Sequence, residues 1–204
     1  MKLLVEKLSV LRDGRAILAN RSFAVEAGQS LLLIGPNGAG KTTLIRTLAG
    51  LLPAAAGRFW LEAGRPDQSV GELCHYVGHL NAVKSTLTVA ENAEFWQRFL
   101  GGGGQELKLA LDAFGLSRLM HIPAGYLSAG QKRRLTLARL LLAPRPIWLL
   151  DEPAASLDED AQDALRGAVA ARLGSGGLVI AATHQPLGWP NEHTLRLPQA
   201  ARAA

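Results

Sequence analysis

Apolar and polar residues alternate over positions 3–10 and again over 21–26, the period of strands with one covered face. Residues 30–34 form a short unbroken apolar run, which predicts a buried strand. A glycine-rich turn follows, and 42–51 then carries helical spacing. Residues 53–57 read as a loop. Residues 91–100 and 106–114 read as helices joined by a flexible hinge at Gly101 to Gly104. Residues 131–142 place arginines on one side of a helix and leucines on the other, and the pattern stops before Pro144. Two charge-free apolar runs, 147–150 and 178–182, suit central parallel strands covered on both faces, with an alanine-rich helix over 159–173 between them. No internal repeat is visible. Strand and helix alternate around a helical middle, roughly 82–127, which predicts an α/β fold.

With 204 residues, 48% hydrophobic and 19% charged, the chain suits one ordered domain over 1–204, with room for an inserted subdomain. No stretch approaches the ~18 apolar residues of a membrane-spanning helix. The opening residues alternate like a strand and lack the apolar core of a signal peptide. The expected place is therefore the cytosol, unless a partner holds the chain at a membrane. The single cysteine, Cys74, allows no internal disulfide and fits a reducing compartment. The net charge of +5 is scattered, and Lys132, Arg133 and Arg134 form the one tight basic cluster, so charge alone gives little support for nucleic-acid binding.

Gly35, Pro36, Asn37, Gly38, Ala39, Gly40, Lys41 and Thr42 fit the pattern G-x-x-x-x-G-K-[ST], placed after a strand and before a helix. Glycines let backbone N–H groups face phosphate oxygens, and a helix N-terminus adds a positive dipole end. Lys41 reaches the β- and γ-phosphates, and the Thr42 hydroxyl can ligate Mg²⁺. Thr43 follows within the same cradle. The fingerprint G-x-G-x-x-G is absent, which excludes a Rossmann reading.

The apolar run 147–150 ends in Asp151 and Glu152. Ligands bind at the carboxyl ends of strands in open α/β sheets. Asp151 is placed to hold Mg²⁺ through water, and Glu152 to polarise an attacking water. An acidic pair after an apolar run is common and gains its meaning here from the phosphate cradle. His184 closes the second apolar run, in register to touch the γ-phosphate or its water.

Leu127, Ser128, Ala129, Gly130 and Gln131 precede a helix, where a serine and bare N–H groups can meet an anion or simply cap the helix. Together with the cradle, the acidic strand, Ser156–Leu157–Asp158 and His184, in this order and spacing, this segment resembles the signature of the ABC ATPase family. The resemblance covers nearly the whole chain. It implies a P-loop NTPase of RecA-like core, with an antiparallel β subdomain and an inserted helical subdomain at about 82–135. It implies ATP and Mg²⁺ as cofactors, and Asp158 as part of the site. It further implies that Ser128 and Gly130, with Gln131 beside them, reach the γ-phosphate held by a second copy, so that a homodimer sandwiches two ATP molecules.

Residues Tyr76 to Lys84, then Leu87, Thr88, Glu91 and Asn92, the run 127–139 and the run 183–187 carry a narrower resemblance, to the haem exporter ATP-binding subunit of cytochrome c biogenesis (the CcmA family). That resemblance implies a peripheral protein at the cytoplasmic face of the bacterial inner membrane, with a CcmB-like permease subunit and CcmC- and CcmD-like partners, supporting haem delivery to a periplasmic chaperone. An ABC motor for a lipid, lipoprotein or drug is the main alternative. A soluble ABC ATPase acting on ribosomes or DNA fits less well, because the chain has neither a second ATPase module nor long inserted arms.

Two positions depart from the wider family. His79 stands where many members carry a glutamine. It either replaces that glutamine as a metal and water ligand or belongs only to the loop that senses the membrane subunit. Near Arg12 the family often has an aromatic residue against adenine; here Arg12 offers a planar guanidinium, or no stacking occurs. Cys74–His75 lacks the C-x-x-C-H attachment pattern, and no direct haem binding is expected.

Overall fold

A computed structural model of the chain describes residues 1–62, 68–102 and 106–198. They group into two compact units. The first holds the described residues of 1–78, 146–153 and 170–198, and the second those of 79–145 and 154–169.

In the first unit, β1 (Lys2–Arg12), β2 (Arg15–Glu26) and β4 (Ala56–Glu62) form an antiparallel sheet in the order β2-β1-β4. The strand β3 (Ser30–Ile34) belongs to a second sheet with β5 (Cys74–Val77), β6 (Ile147–Asp151), β7 (Leu178–Ala182) and β8 (Glu192–Arg196). Its order is β5-β6-β7-β3-β8, and every pairing is parallel. β6 and β7 are buried along their full length, as their charge-free sequences require of central strands. The core of this unit joins Leu3, Val5, Leu8 and Val10 of β1 to Leu31, Leu33, Ile147, Leu149 and Ile180.

The inward positions of β1 run 3, 5, then 8, 10, a change of phase that strict alternation forbids. The ladder slips between Val5 and Leu8, where Lys7 takes a left-handed φ of 47°. Opposite this bulge, Gly57 has φ 80°, and a Cβ there would lie 2.4 Å from the carbonyl oxygens of Glu6 and Lys7.

The helix α1 (Lys41–Leu48) packs Leu44, Ile45 and Leu48 into the core. It ends earlier than the expected 51, because the backbone turns left-handed at Gly50 before Pro53. The second unit carries α2 (Val89–Phe99), α3 (Leu107–Asp112) and α4 (Ala129–Leu142). α2 starts two residues before the expected point. The cause is a capping box in which Thr88 accepts from the Glu91 N–H while the Glu91 carboxylate accepts from the Thr88 N–H. That N–H, then the Thr88 hydroxyl, holds the Glu91 carboxyl below its usual range. α4 starts in the same way, two residues early, on Ser128 and Gln131. α5 (Glu159–Gly174) runs through both units. Of the expected hinge, Gly103 and Gly104 lie outside the described residues.

Four stretches of strand differ from expectation. β4 begins inside the segment read as a loop, β2 begins at Arg15 rather than 21, and β5 and β8 were not expected. β4 and β8 have no fully buried position; only Phe59 and Leu61 of β4 and Leu195 of β8 pack partly against the core, too few to mark a strand by period.

Replacing Gly57 with alanine forces a Cβ into the β1 carbonyls and strains a left-handed residue. A loss of about 2 kcal/mol is expected, read as a drop of several degrees in the midpoint of a thermal melt. An unchanged midpoint would show that the bulge relaxes without cost.

Candidate functional site

β3 delivers the chain into the glycine-rich turn at Gly35, which passes so close to the C-terminal segment that a Cβ would lie 2.3 Å from the Leu197 carbonyl oxygen. Leu197 is held there by its N–H, which donates to the Ile34 carbonyl at 2.8 Å as β8 pairs with β3. Pro36, Asn37 and Gly38 are exposed at the crest of the turn, while Ala39 and Gly40 are buried against its base. A Cβ on Gly40 would meet the Leu18 side chain of β2 at 2.8 Å.

Lys41 is 7% exposed, and its ammonium folds back across the turn, donating to the carbonyls of Gly35 at 2.6 Å and Pro36 at 3.3 Å. A charge held at the inner side of a turn with an exposed crest is available to an anion seated on that crest. Thr42, beside it, donates its hydroxyl to Asp151 Oδ1 at 3.0 Å. Asp151 is the last residue of β6 and is 2% exposed. Thr43 sits one residue further along α1, and its carbonyl accepts from the Thr47 hydroxyl.

Glu152 leaves the sheet with φ 47°, its N–H still donating to the Ala182 carbonyl of β7 at 2.9 Å. A left-handed non-glycine residue is costly and is held only where its surroundings fix it. Here the turn sends Glu152 away from Asp151 and toward His184, whose Nε2 lies 3.1 Å from its carboxylate. Thus Lys41, Thr42, Asp151, Glu152 and His184 gather at the carboxyl ends of β3, β6 and β7, as the sequence pattern anticipates. One hydroxyl and one buried carboxylate, beside phosphate oxygens and water, form an all-oxygen donor set of the kind Mg²⁺ takes. Among the described residues, no group of three histidine, cysteine or acidic side chains forms a metal cage of protein groups alone.

Arg12 ends β1, with 77% of its side chain exposed, beside Asp13 at 3.8 Å; this is a surface pair of small energetic weight. Cys74 and His75 are buried in the first unit, with the His75 ring edge-on to Trp148.

Ser128, Gly130, Gln131, Asp158 and His79 belong to the second unit. Ser128 accepts from the Gln131 N–H at 3.1 Å, and the Gln131 side chain accepts from the Ser128 N–H at 2.8 Å. Gly130 meets Ser156, since a Cβ on it would lie 2.9 Å from the Ser156 carbonyl oxygen. Asp158 accepts from the Ala161 N–H and caps α5. His79 is exposed, and the loop beyond it is fixed by the Thr136 hydroxyl, which donates to the Asn81 carbonyl at 2.6 Å. The basic cluster is broken up: Arg133 is buried, and the Lys132 ammonium donates to the Gly125 carbonyl. The Leu197 constraint on Gly35 was not anticipated, because it arises from the unforeseen pairing of β8 with β3.

A family profile described as ABC transporter matches residues 18–155. An ABC transporter ATP-binding protein structure from Pyrococcus furiosus, described as putative, superposes with a TM-score of 0.82 at 25% identity, covering 97% of this chain and 98% of that one. The chain belongs to the ABC transporter family, as one of its ATP-hydrolysing subunits with the P-loop NTPase fold. Within that family it is similar to the Cytochrome c biogenesis ATP-binding export protein CcmA of Rhizobium meliloti, at 52% identity over 97% of this chain and 98% of the relative. The protein of the same name from Mesorhizobium japonicum is 48% identical, over 92% and 94%.

Lys41→Ala removes the one ammonium folded across the turn. Nucleotide affinity is expected to fall roughly 10- to 100-fold, the weight of a charge-assisted contact. Titration with a fluorescent ATP analogue measures it, and unchanged affinity would place the phosphates elsewhere.

Proposed function

We propose that this chain is the ATP-hydrolysing subunit of an export complex of cytochrome c biogenesis. In this reading it works as a homodimer at the cytoplasmic face of the bacterial inner membrane. It is docked on a CcmB-like permease with CcmC- and CcmD-like proteins, and serves haem export or the release of a haem-loaded chaperone. The observation that carries the reading is the single cluster of Lys41, Thr42, Asp151, Glu152 and His184 at the strand ends, in a chain about 50% identical to named CcmA proteins over most of both lengths. No helix among the described residues is long and apolar enough to cross a membrane.

The turn 35–43 binds the triphosphate through backbone N–H groups, with Lys41 on the β- and γ-phosphates. Thr42 and Asp151 hold Mg²⁺, which neutralises phosphate charge when bound. Glu152 orients the water that attacks the γ-phosphorus and receives its proton as the bond to the ADP oxygen breaks. His184 keeps that carboxylate aimed and contacts the γ-phosphate. Arg12 lends a flat guanidinium to adenine. His79 offers an exposed imidazole, for water or Mg²⁺, on the loop leaving β5.

Ser128, Gly130 and Gln131, with Asp158, complete the site of the second copy. The Ser128 hydroxyl and the N–H groups opening α4 form an anion-binding helix start. With one set of motifs per chain, twofold pairing makes two equal sites.

Glu152→Gln is expected to keep ATP affinity near that of the parent while turnover falls at least ~100-fold, the weight of a general base. Phosphate release beside nucleotide titration separates the two, and near-normal turnover would refute the assignment. Deleting the gene for this chain should abolish haem-stained c-type cytochromes while other haem proteins persist. Intact c-type cytochromes would instead favour a different cargo.

A further inference from the structure

Arg46 lies one helical turn beyond Thr42 on α1, on the same face. Its Nε donates to the hydroxyl of Tyr76, on β5, at 3.2 Å. The same hydroxyl stands over Gly78, where a Cβ would lie 2.7 Å from it and 3.0 Å from the Cζ of the ring. Gly78 ends the first stretch of the first unit, and the chain then passes to His79. β5 is laddered to β6, with Tyr76 opposite Leu149 and Val77 opposite Leu150, one residue short of Asp151. One phenol therefore touches both the helix that carries Thr42 and the strand end that precedes His79.

Arg46 is exposed, while the Tyr76 ring is half-buried against the core of the first unit, so the bond ties a solvent-facing helix residue to a packed strand residue. The hydrogen bond to the Tyr76 hydroxyl moves the pKa of the already charged guanidinium further up, and Asp151 acts on it in the same direction. Tyrosine suits the place: its ring is rigid, with two side-chain torsions, and its oxygen accepts from the guanidinium at a fixed reach. Glycine at 78 leaves room for that ring but gives the strand end no side chain of its own to anchor it.

We propose that Arg46 and Tyr76 form a strut that positions the end of β5 relative to the Thr42–Asp151 pair, so that the loop opening with His79 departs from a set place during ATP hydrolysis. Both are positioning residues that act through Gly78 and need no contact with nucleotide. The inference rests on the reading of Thr42 and Asp151 as the Mg²⁺–nucleotide pair.

The test is a double-mutant cycle on the full chain in the membrane complex with which it purifies. Tyr76→Phe and Arg46→Gln should each lower kcat roughly 3- to 10-fold, the weight of one hydrogen bond, with KM for ATP and the melting midpoint nearly unchanged. The double variant should be no slower than the slower single, because both remove one bond. Arg46→Lys, which keeps a donor, should restore part of the loss. Full kcat in Tyr76→Phe, multiplying effects in the double variant, or loss of kcat only in step with loss of folded protein would overturn the strut. Mg²⁺-dependent nucleotide binding by Thr42→Ala and Asp151→Asn is read alongside. If both bind like the parent chain, the underlying site reading fails. If both are impaired while the cycle is additive, the strut alone fails.

Discussion

A carboxylate taken out of water must be partnered, and Asp151, 2% exposed at the end of a fully buried strand, imposes that demand on everything around it. Thr42 meets it with a hydroxyl from the first turn of α1. That bond joins residues 109 apart in sequence, the glycine-rich turn and the acidic strand end. It requires β3, which launches α1, and β6 to end at the same edge of one parallel sheet. β7 lies between them, and its continuation carries His184 to the Glu152 carboxylate. At the left-handed turn of Glu152 two adjacent acids take different partners, Asp151 meeting Thr42 and Glu152 meeting His184.

Much of this was legible in the chain because burial on both faces leaves a plain mark. The apolar runs of β3, β6 and β7 and the turn with Lys41 and Thr42 announce themselves, and so do the acids and the histidine at the run ends. Where an element is half-covered, the mark fades. β4 and β8 carry no fully buried residue, and β5 is four residues long, with a histidine and a tyrosine in it. Contacts that follow from those elements were invisible for the same reason. Gly35 against Leu197 depends on β8, and Arg46 against Tyr76 depends on β5. The early starts of α2 and α4 are a different case. Their capping boxes, Thr88 with Glu91 and Ser128 with Gln131, are written in the sequence, and each helix starts directly after its cap, at Val89 and Ala129, rather than at the Glu91 or Gln131 that closes the box.

The motifs are divided between the two units. The turn 35–43, Asp151, Glu152 and His184 belong to the first, and Ser128, Gly130, Gln131 and Asp158 to the second. In the proposed dimer each triphosphate is bound by the first unit of one copy and the second unit of the other. ATP then acts as the bond between copies, and its cleavage weakens that bond. Gly130 and Ser156 lie close together within the second unit, so in the proposed dimer the two would meet the neighbour side by side.

The central claim is that nucleotide joins two copies through Ser128. The direct measurement is the solution mass, by light scattering, of a chain whose turnover is blocked by Glu152→Gln, with and without saturating Mg²⁺–ATP. Twice the chain mass with ATP, single mass without it, and single mass again when Ser128→Arg is added despite retained ATP binding are the results expected. A chain that stays single when saturated with ATP, or that pairs equally well with Ser128→Arg, would contradict the account.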